Sequence, residues 1–135
     1  ASYAGLVGGS FRNPIEGPAT GRPENLARTL DVLDGESSIG CIAMEISCRR
    51  LESMPPALED GVRVLREFRQ KSRKPLAVVL TTTHPFTETA DVRGFERRFM
   101  EDAGVACFLD MDRAAKAMFN VAEYHRQRAW LHGDG

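Results

Sequence analysis

The sequence lacks a strong net charge of either sign. Its 18 lysines and arginines nearly balance 19 aspartates and glutamates, which leaves a formal net charge of −1. A protein that binds nucleic acid or an anionic membrane surface through its overall field carries a clear positive excess. The charge balance therefore gives no reason to expect a nucleic-acid or membrane partner.

Long apolar runs and cysteines are scarce as well. No stretch approaches the roughly 20 apolar residues of a membrane-spanning helix, and no signal-peptide pattern is seen, so we expect neither. The three cysteines, Cys41, Cys48 and Cys107, are odd in number and lack Cys-x-x-Cys spacing. Two of them fall in apolar, strand-like runs, where a free thiol packs as a small hydrophobe. This usage favours a reducing, cytoplasmic compartment.

The clearest element that is present is a short apolar strand in the middle of the chain. Five apolar residues, Leu76 to Leu80, follow Lys74-Pro75 and run into three threonines, Thr81 to Thr83. An uninterrupted run of this kind is typical of a strand buried on both faces, as in a parallel sheet. Because ligands of such sheets bind outside the carboxyl ends of the strands, we expect a site at the Thr81–Thr89 loop.

Helical and strand-like stretches alternate on both sides of this strand. Before it, the pattern predicts a helix over Pro23–Asp34, a strand over Cys41–Ser47 and a polar loop over Cys48–Pro56. An amphipathic helix follows that loop, and its apolar face carries Leu58, Val62, Leu65 and Phe68.

After the central strand the alternation continues. We expect Asp91 to cap a helix that ends at Gly104 and carries Val92, Phe95, Phe99 and Ala103 on one face. A strand over Val105–Leu109 follows. We expect Asp112 to cap the last helix, whose inward residues are Ala115, Met118, Phe119 and Ala122.

This succession predicts an α/β domain, a three-layer αβα arrangement with a mostly parallel sheet and right-handed crossovers. We place the domain at residues 22–132, after an irregular lead-in rich in glycine and proline at residues 1–21. Only three strands are evident, so we expect a piece of a longer chain, whose missing part supplies neighbouring strands or a partner.

Polar residues at the predicted strand ends are the candidate site. Glu45 lies inside an apolar strand, and a carboxylate there needs a partner or a position facing a cleft. Ser47 ends the same strand, while Thr82, Thr83 and His84 follow the central one. His84 could act as a base or contact a ligand, or could be a solvated loop residue. For Glu45 a structural ion pair and a functional role both remain open.

Several short stretches, taken in order, resemble one family. They are Phe11-Arg12-Asn13-Pro14-Ile15-Glu16, Lys74-Pro75-Leu76-Ala77-Val78-Val79, Ala103-Gly104-Val105-Ala106-Cys107-Phe108 and Asp112-Arg113-Ala114-Ala115-Lys116-Ala117-Met118. Together they are similar to the second flavodoxin-like domain of the nucleoside-diphosphate-forming acyl-CoA synthetases, the relatives of succinyl-CoA synthetase. The resemblance covers about Phe11 to Tyr124. Glu16, the long Thr81–Thr89 loop and Cys107 depart from the family pattern.

The resemblance implies a function for the parent enzyme. Such enzymes join a carboxylic acid to coenzyme A, with ATP or GTP, through an acyl phosphate and a phosphohistidine. Coenzyme A and Mg-ATP would bind on Rossmann-like and ATP-grasp domains of the same or a partner chain, with no cofactor in this domain. Asn13, Glu45, Ser47, Thr82, Thr83 and His84 would then help to bind the acyl substrate and the phosphohistidine, and the isolated domain would be inactive.

A second hypothesis needs no catalysis. A flavodoxin-like module of this size could instead bind a small ligand or a protein, or form a homodimer. Its exposed sheet edge would then pair with another copy or subunit.

Overall fold

In the computed structural model, the central strand predicted from the sequence is the middle strand of the sheet. The structure describes residues 14–15, 21–82 and 91–132. Strand β2 (Leu76–Thr81) pairs in parallel with β1 (Ile42–Ser47) on one side and with β3 (Ala106–Phe108) on the other. The five apolar residues of β2 are no more than 6% exposed. The prediction of a doubly covered strand in an α/β domain is confirmed, and the described sheet, predicted to be mostly parallel, is parallel throughout.

Helices precede the first strand, occupy the connections between the strands and follow the last one. They are α1 (Pro23–Gly35), α2 (Cys48–Ser53), α3 (Pro55–Lys71), α4 (Val92–Arg97), a π-helical segment (Arg98–Asp102) and α5 (Met111–His132). The strand order is β1-β2-β3, so each consecutive strand adds beside the one before it. This is the succession expected for parallel strands joined by helical crossovers.

One face of the sheet holds the main core. Ile42, Leu76, Val78, Leu80 and Cys107 belong to one buried cluster with apolar residues of the first four helices and the π-helical segment. In that cluster Leu30, Leu65, Phe68 and Phe99 are no more than 2% exposed. The apolar faces of α1 and α3, predicted from residues spaced three or four apart, therefore pack into the core.

Helix α5 covers the opposite face, and only part of it. Ala77 and Val79 alternate with the core residues of β2, are buried, and lie outside the main cluster. Helix α5 contacts β2 and β3, and its Ala114 is fully buried. On β1 the residues of that same face, Ala43 and Glu45, are exposed. The third layer thus lies over two of the three strands in the described part of the chain.

The residues that enter β2 also hold α1 in place. The Lys74 ammonium donates to the carbonyls of Leu33 (2.7 Å) and Glu36 (2.6 Å) at the end of α1. These are carbonyls that a helix terminus leaves without helical partners. The buried Ser72 hydroxyl donates to Asp34, while its oxygen accepts the Lys74 N–H. The positive charge that follows α3 therefore stabilises the end of α1 as well.

The prediction of a loop over Cys48–Pro56 was wrong. Its first six residues form α2, because Cys48 and Leu51 lie one turn apart and are both buried. Helix α3 begins directly afterwards at Pro55, since proline suits the first turn of a helix. Of the polar residues between these positions, Arg49 is exposed and Arg50 is half-buried, donating to the Gly21 carbonyl at 3.0 Å. Such polar residues are why the stretch reads as a loop.

The face predicted for α5 was also wrong in part. Ala114 is buried and Ala117 and Met118 are half-buried, whereas Ala115, Phe119 and Ala122 are exposed. The predicted cap Asp112 lies inside the helix. Instead, the carboxylate of Asp110 accepts the N–H of Arg113 at 2.7 Å. A cap two residues earlier starts the helix earlier, at Met111.

Candidate functional site

The carboxyl ends of β1 and β2 bring two of the predicted residues, Glu45 and Ser47, together with Thr81. The register sets Ser47 beside Thr81, and Glu45 is beside Val79, one pair earlier. Side chains two residues apart on a strand share a face, so Glu45, Ser47 and Thr81 all project from the side that α5 leaves open over β1. Thr82 is the next residue and is exposed.

A hydrogen bond across the two strands joins this group. The Thr81 hydroxyl lies 3.3 Å from Glu45 Oε1 and donates to it. Glu45 is exposed and makes no ion pair within the described ranges. A carboxylate inside an apolar strand is thus accommodated by facing solvent on the face of β1 that α5 leaves uncovered.

The Thr81 hydroxyl has one proton to donate, and its use determines which hydrogen bonds this group can make to a ligand. Because the hydroxyl donates to Glu45, its two lone pairs remain as acceptors. The second oxygen of Glu45 is a further acceptor. The Ser47 hydroxyl on the same face can donate, and the exposed Thr82 hydroxyl follows one residue after Thr81. The shared face therefore presents a carboxylate acceptor beside a hydroxyl donor, an arrangement suited to a ligand with both an N–H and an anionic oxygen.

The remaining predicted residues cannot be placed against this group. Asn13, Thr83 and His84 lie outside the described residues. The start of α4 can be examined: the Asp91 carboxylate accepts the Gly94 N–H at 2.9 Å. This confirms Asp91 as the cap.

Cys48, next to Ser47, is an unreactive thiol. It is 1% exposed, and burial raises its pKa, with a further contribution from the negative charge of Glu52. A nucleophilic cysteine requires the opposite shift, toward the thiolate. All three cysteines are free. The structure therefore supports the interpretation of Cys48 as an inert core residue.

A second concave feature lies between α2, the start of α3, and α4. It is a wide groove of about 630 Å³ lined by Leu51, Glu52, Pro55, Pro56, Leu58, Glu59, Asp60 and Phe95. Two of its acidic residues already have partners: Arg98 donates to Glu59 at 2.8 and 2.9 Å, and Arg63 to Asp60 at 3.1 Å. The sequence interpretation missed this groove because it assigned Cys48–Pro56 to a loop. The spacing of Cys48 and Leu51, one helical turn apart, is the signal of α2, but a single turn is too short to be recognised as a helix.

No group of three or more metal-ligating side chains is found among the described residues. In the same part of the chain, no helix is long and apolar enough to cross a membrane.

The chain was compared with protein-family models, with curated proteins and with solved structures. None of the three comparisons finds a match. The interpretation of function therefore depends on the residues themselves and on the resemblance of the short motifs.

Proposed function

We propose that this chain is a domain of a nucleoside-diphosphate-forming acyl-CoA synthetase and that it helps to line the acyl and phosphohistidine site. The observation that supports this proposal is the polar group Glu45, Ser47, Thr81 and Thr82 at the carboxyl ends of β1 and β2. It lies where ligands of open parallel sheets bind. Catalysis would depend on other domains, which would bind coenzyme A and Mg-ATP and carry the histidine.

The charges of this group suggest a division of roles. A carboxylate repels a phosphoryl group, so Glu45 is better suited to accept the N–H of an imidazole than to bind the phosphate. An acceptor of this kind fixes the ring orientation and the protonated nitrogen, as carboxylates do for histidines in metal sites and hydrolases. The Ser47 and Thr82 hydroxyls would donate to the phosphoryl or acyl oxygens, because hydrogen bonds from hydroxyl groups to anionic acceptors are shorter and stronger than those to neutral ones.

The proposal can be tested on this chain with small probes. In a two-dimensional amide NMR titration, phosphoimidazole should shift the signals of Ser47, Cys48, Thr81 and Thr82. Coenzyme A should leave them unchanged, because its site belongs to another domain. Shifts confined to other parts of the chain, or binding of coenzyme A at the strand ends, would contradict the proposal.

Replacing Glu45 by Gln separates function from stability. The substitution keeps the size and an acceptor oxygen for Thr81 but removes the charge. Because Glu45 is exposed, the free energy of unfolding should change by less than about 0.5 kcal/mol. Phosphoimidazole shifts should weaken several-fold, and they should persist in Glu101→Gln, a control at an exposed carboxylate on another element. A loss of stability without a loss of binding would make Glu45 structural.

A non-catalytic binding or dimerisation module is the second candidate. It is favoured by β1, which within the described sheet has a strand neighbour on one side and exposed residues on one face. An unpaired strand edge of this kind pairs readily with another strand. If phosphoimidazole fails to bind and a partner protects the amides of β1 from hydrogen exchange, this candidate replaces the first.

A further inference from the structure

Helix α5 carries an apolar stripe that continues after the sheet stops covering it. The stripe is formed by residues at alternating spacings of three and four, which places them on one side of a helix. Its members are Ala114, Ala117, Val121, Tyr124, Arg128 and Leu131. Ala114 is fully buried, whereas Val121 is 42%, Tyr124 59% and Leu131 71% exposed. Exposure therefore rises from the start of the stripe to its end, where Arg128 is its one charged member.

The length of α5 explains this rise. Its 22 residues span about 33 Å at 1.5 Å per residue. The six residues of β2 span about 20 Å. Helix α5 starts just after the carboxyl end of β3 and contacts β2 and β3. Its last turns therefore extend about 10 Å beyond the amino edge of the sheet, where no described element lies beneath the stripe.

We propose that this overhanging end of α5 pairs in an antiparallel manner with the same end of α5 in a second copy of the chain. A two-fold axis beside Arg126 sets Val121 of one copy against Leu131 of the other. It also sets Tyr124 against Arg128, and both contacts occur twice because a two-fold interface is self-complementary. An arginine over a tyrosine ring is favourable through cation–π attraction and stacking.

The residues that flank the stripe are compatible with this pairing. His125 lies on one flank of the stripe next to the axis and Gln127 on the other, so each approaches its own counterpart, and neither carries a fixed charge. The charged pair Glu123 and Arg126 forms an ion pair within one helix and lies on the opposite side from the stripe. In the antiparallel pair, each apolar residue Val121 or Leu131 thus meets an apolar residue of the other copy, and Arg128 meets the ring of Tyr124. This match favours a second copy over an unrelated partner.

The interface is small, and the association should be correspondingly weak. Three large exposed side chains per copy give much less than the roughly 1,200 Å² total that stable complexes bury. We therefore expect a dissociation constant in the micromolar range. The inference is independent of the proposed catalytic role.

Sedimentation velocity of the full chain from about 5 to 500 µM is the first test, with concentrations chosen to bracket the affinity. We expect a reversible monomer–dimer equilibrium. Val121→Lys and Leu131→Glu should each abolish it, because each sets a charge against an apolar side chain. Trp130→Ser should leave it unchanged, since Trp130 is 82% exposed but lies on another side of the helix.

Mixing the two charged variants tests the antiparallel register. In a mixed dimer the new lysine of one copy faces the new glutamate of the other, while the second contact remains Val121 with Leu131. An equimolar mixture should therefore dimerise although neither variant does so alone. All variants should keep the wild-type circular dichroism spectrum because the substituted positions are exposed.

Three outcomes would overturn the inference. They are a wild-type chain that stays monomeric at the highest concentration, charged variants that dimerise like the wild type, and a mixture that does not recover association. Dimerisation that survives both charged variants and protects β1 amides would assign self-association to the sheet edge instead.

Discussion

At the scale of single residues, the three cysteines show how the fold changes one chemical group in different ways. Cys41 is exposed, while Cys48 and Cys107 are buried. Burial raises the pKa of the Cys107 thiol to about 11, with an added effect of the Glu96 charge, and burial also raises the pKa of Cys48. Both buried thiols therefore stay protonated where an ordinary thiol begins to ionise.

A disulfide reagent at pH 8 should accordingly react with one thiol per native chain. The fast phase should belong to Cys41 and disappear in Cys41→Ser, while all three thiols should react in denaturant. A fast phase of two or three thiols in the native chain would show that α2 or β3 opens on the time scale of labelling.

The raised pKa of Cys107 also predicts that the stability of the fold depends on pH. Between an ordinary pKa of 9.0 and about 11, unfolded chains lose the Cys107 proton while folded chains keep it. The native state then binds more protons, so the free energy of unfolding falls as pH rises through this window. The slope over this window should be smaller in Cys107→Ala, whatever its absolute stability; an unchanged slope would assign the effect to other groups.

At the scale of the elements, the cap of α4 contains a conflict between two neighbouring positions. The Asp91 carboxylate occupies the space beside Gly94: a Cβ there would lie 2.0 Å from Asp91 Oδ2. The chain thus keeps a glycine, which is unfavourable inside a helix, next to a favourable cap. The two residues should therefore be coupled.

Unfolding of four variants measures that coupling. Asp91→Ala should cost about 1 kcal/mol through loss of the cap. Gly94→Ala in the wild type should be close to neutral, because it displaces the cap but gains about 1 kcal/mol of helix propensity. In the Asp91→Ala background the same change should stabilise by about 1 kcal/mol. Gly61→Ala, whose Cβ would lie 3.6 Å from Phe99, is the control and should have one effect in both backgrounds.

The elements that the sequence predicted well are those whose apolar residues repeat over several turns or run unbroken. The leucines of α1 and the apolar face of α3 each determine one buried side, and the run Leu76–Leu80 determines a strand buried on both faces. Helix α5 was harder because it has apolar residues on more than one side, including Phe119 and Trp130, and only contact with the sheet selects Ala114. Helix α2 is too short for its period to be recognised.

The candidate site was predictable in position and only partly in geometry. Strand ends can be read from the sequence, so Glu45, Ser47 and Thr82 were named. The hydrogen bond between Thr81 and Glu45 depends on the pairing register of β1 and β2, which no local pattern specifies. For the same reason, the sequence could not show that the face carrying Glu45 is the one left uncovered.

At the scale of the whole molecule, the described domain is unevenly stabilised. Strand β2 has a neighbour on each side and both faces buried, whereas β1 has one neighbour and β3 has three residues. The main core lies on one face only. Local opening should therefore cost least at the outer strands and at the far end of α5, and most in β2 and in the buried turns of α3.

Native-state hydrogen exchange at low concentration should reproduce this gradient. The amides of β2 should exchange last, through global unfolding, and those of Asn120–His132 first, because that part of α5 contacts little else. Amides of β1 should lie between them. Protection of β1 equal to that of β2 would mean that something covers its outer edge in solution, either another part of the chain or a partner. Protection of α5 that rises with protein concentration, while β1 stays unchanged, would identify the helix end as the surface where two copies meet.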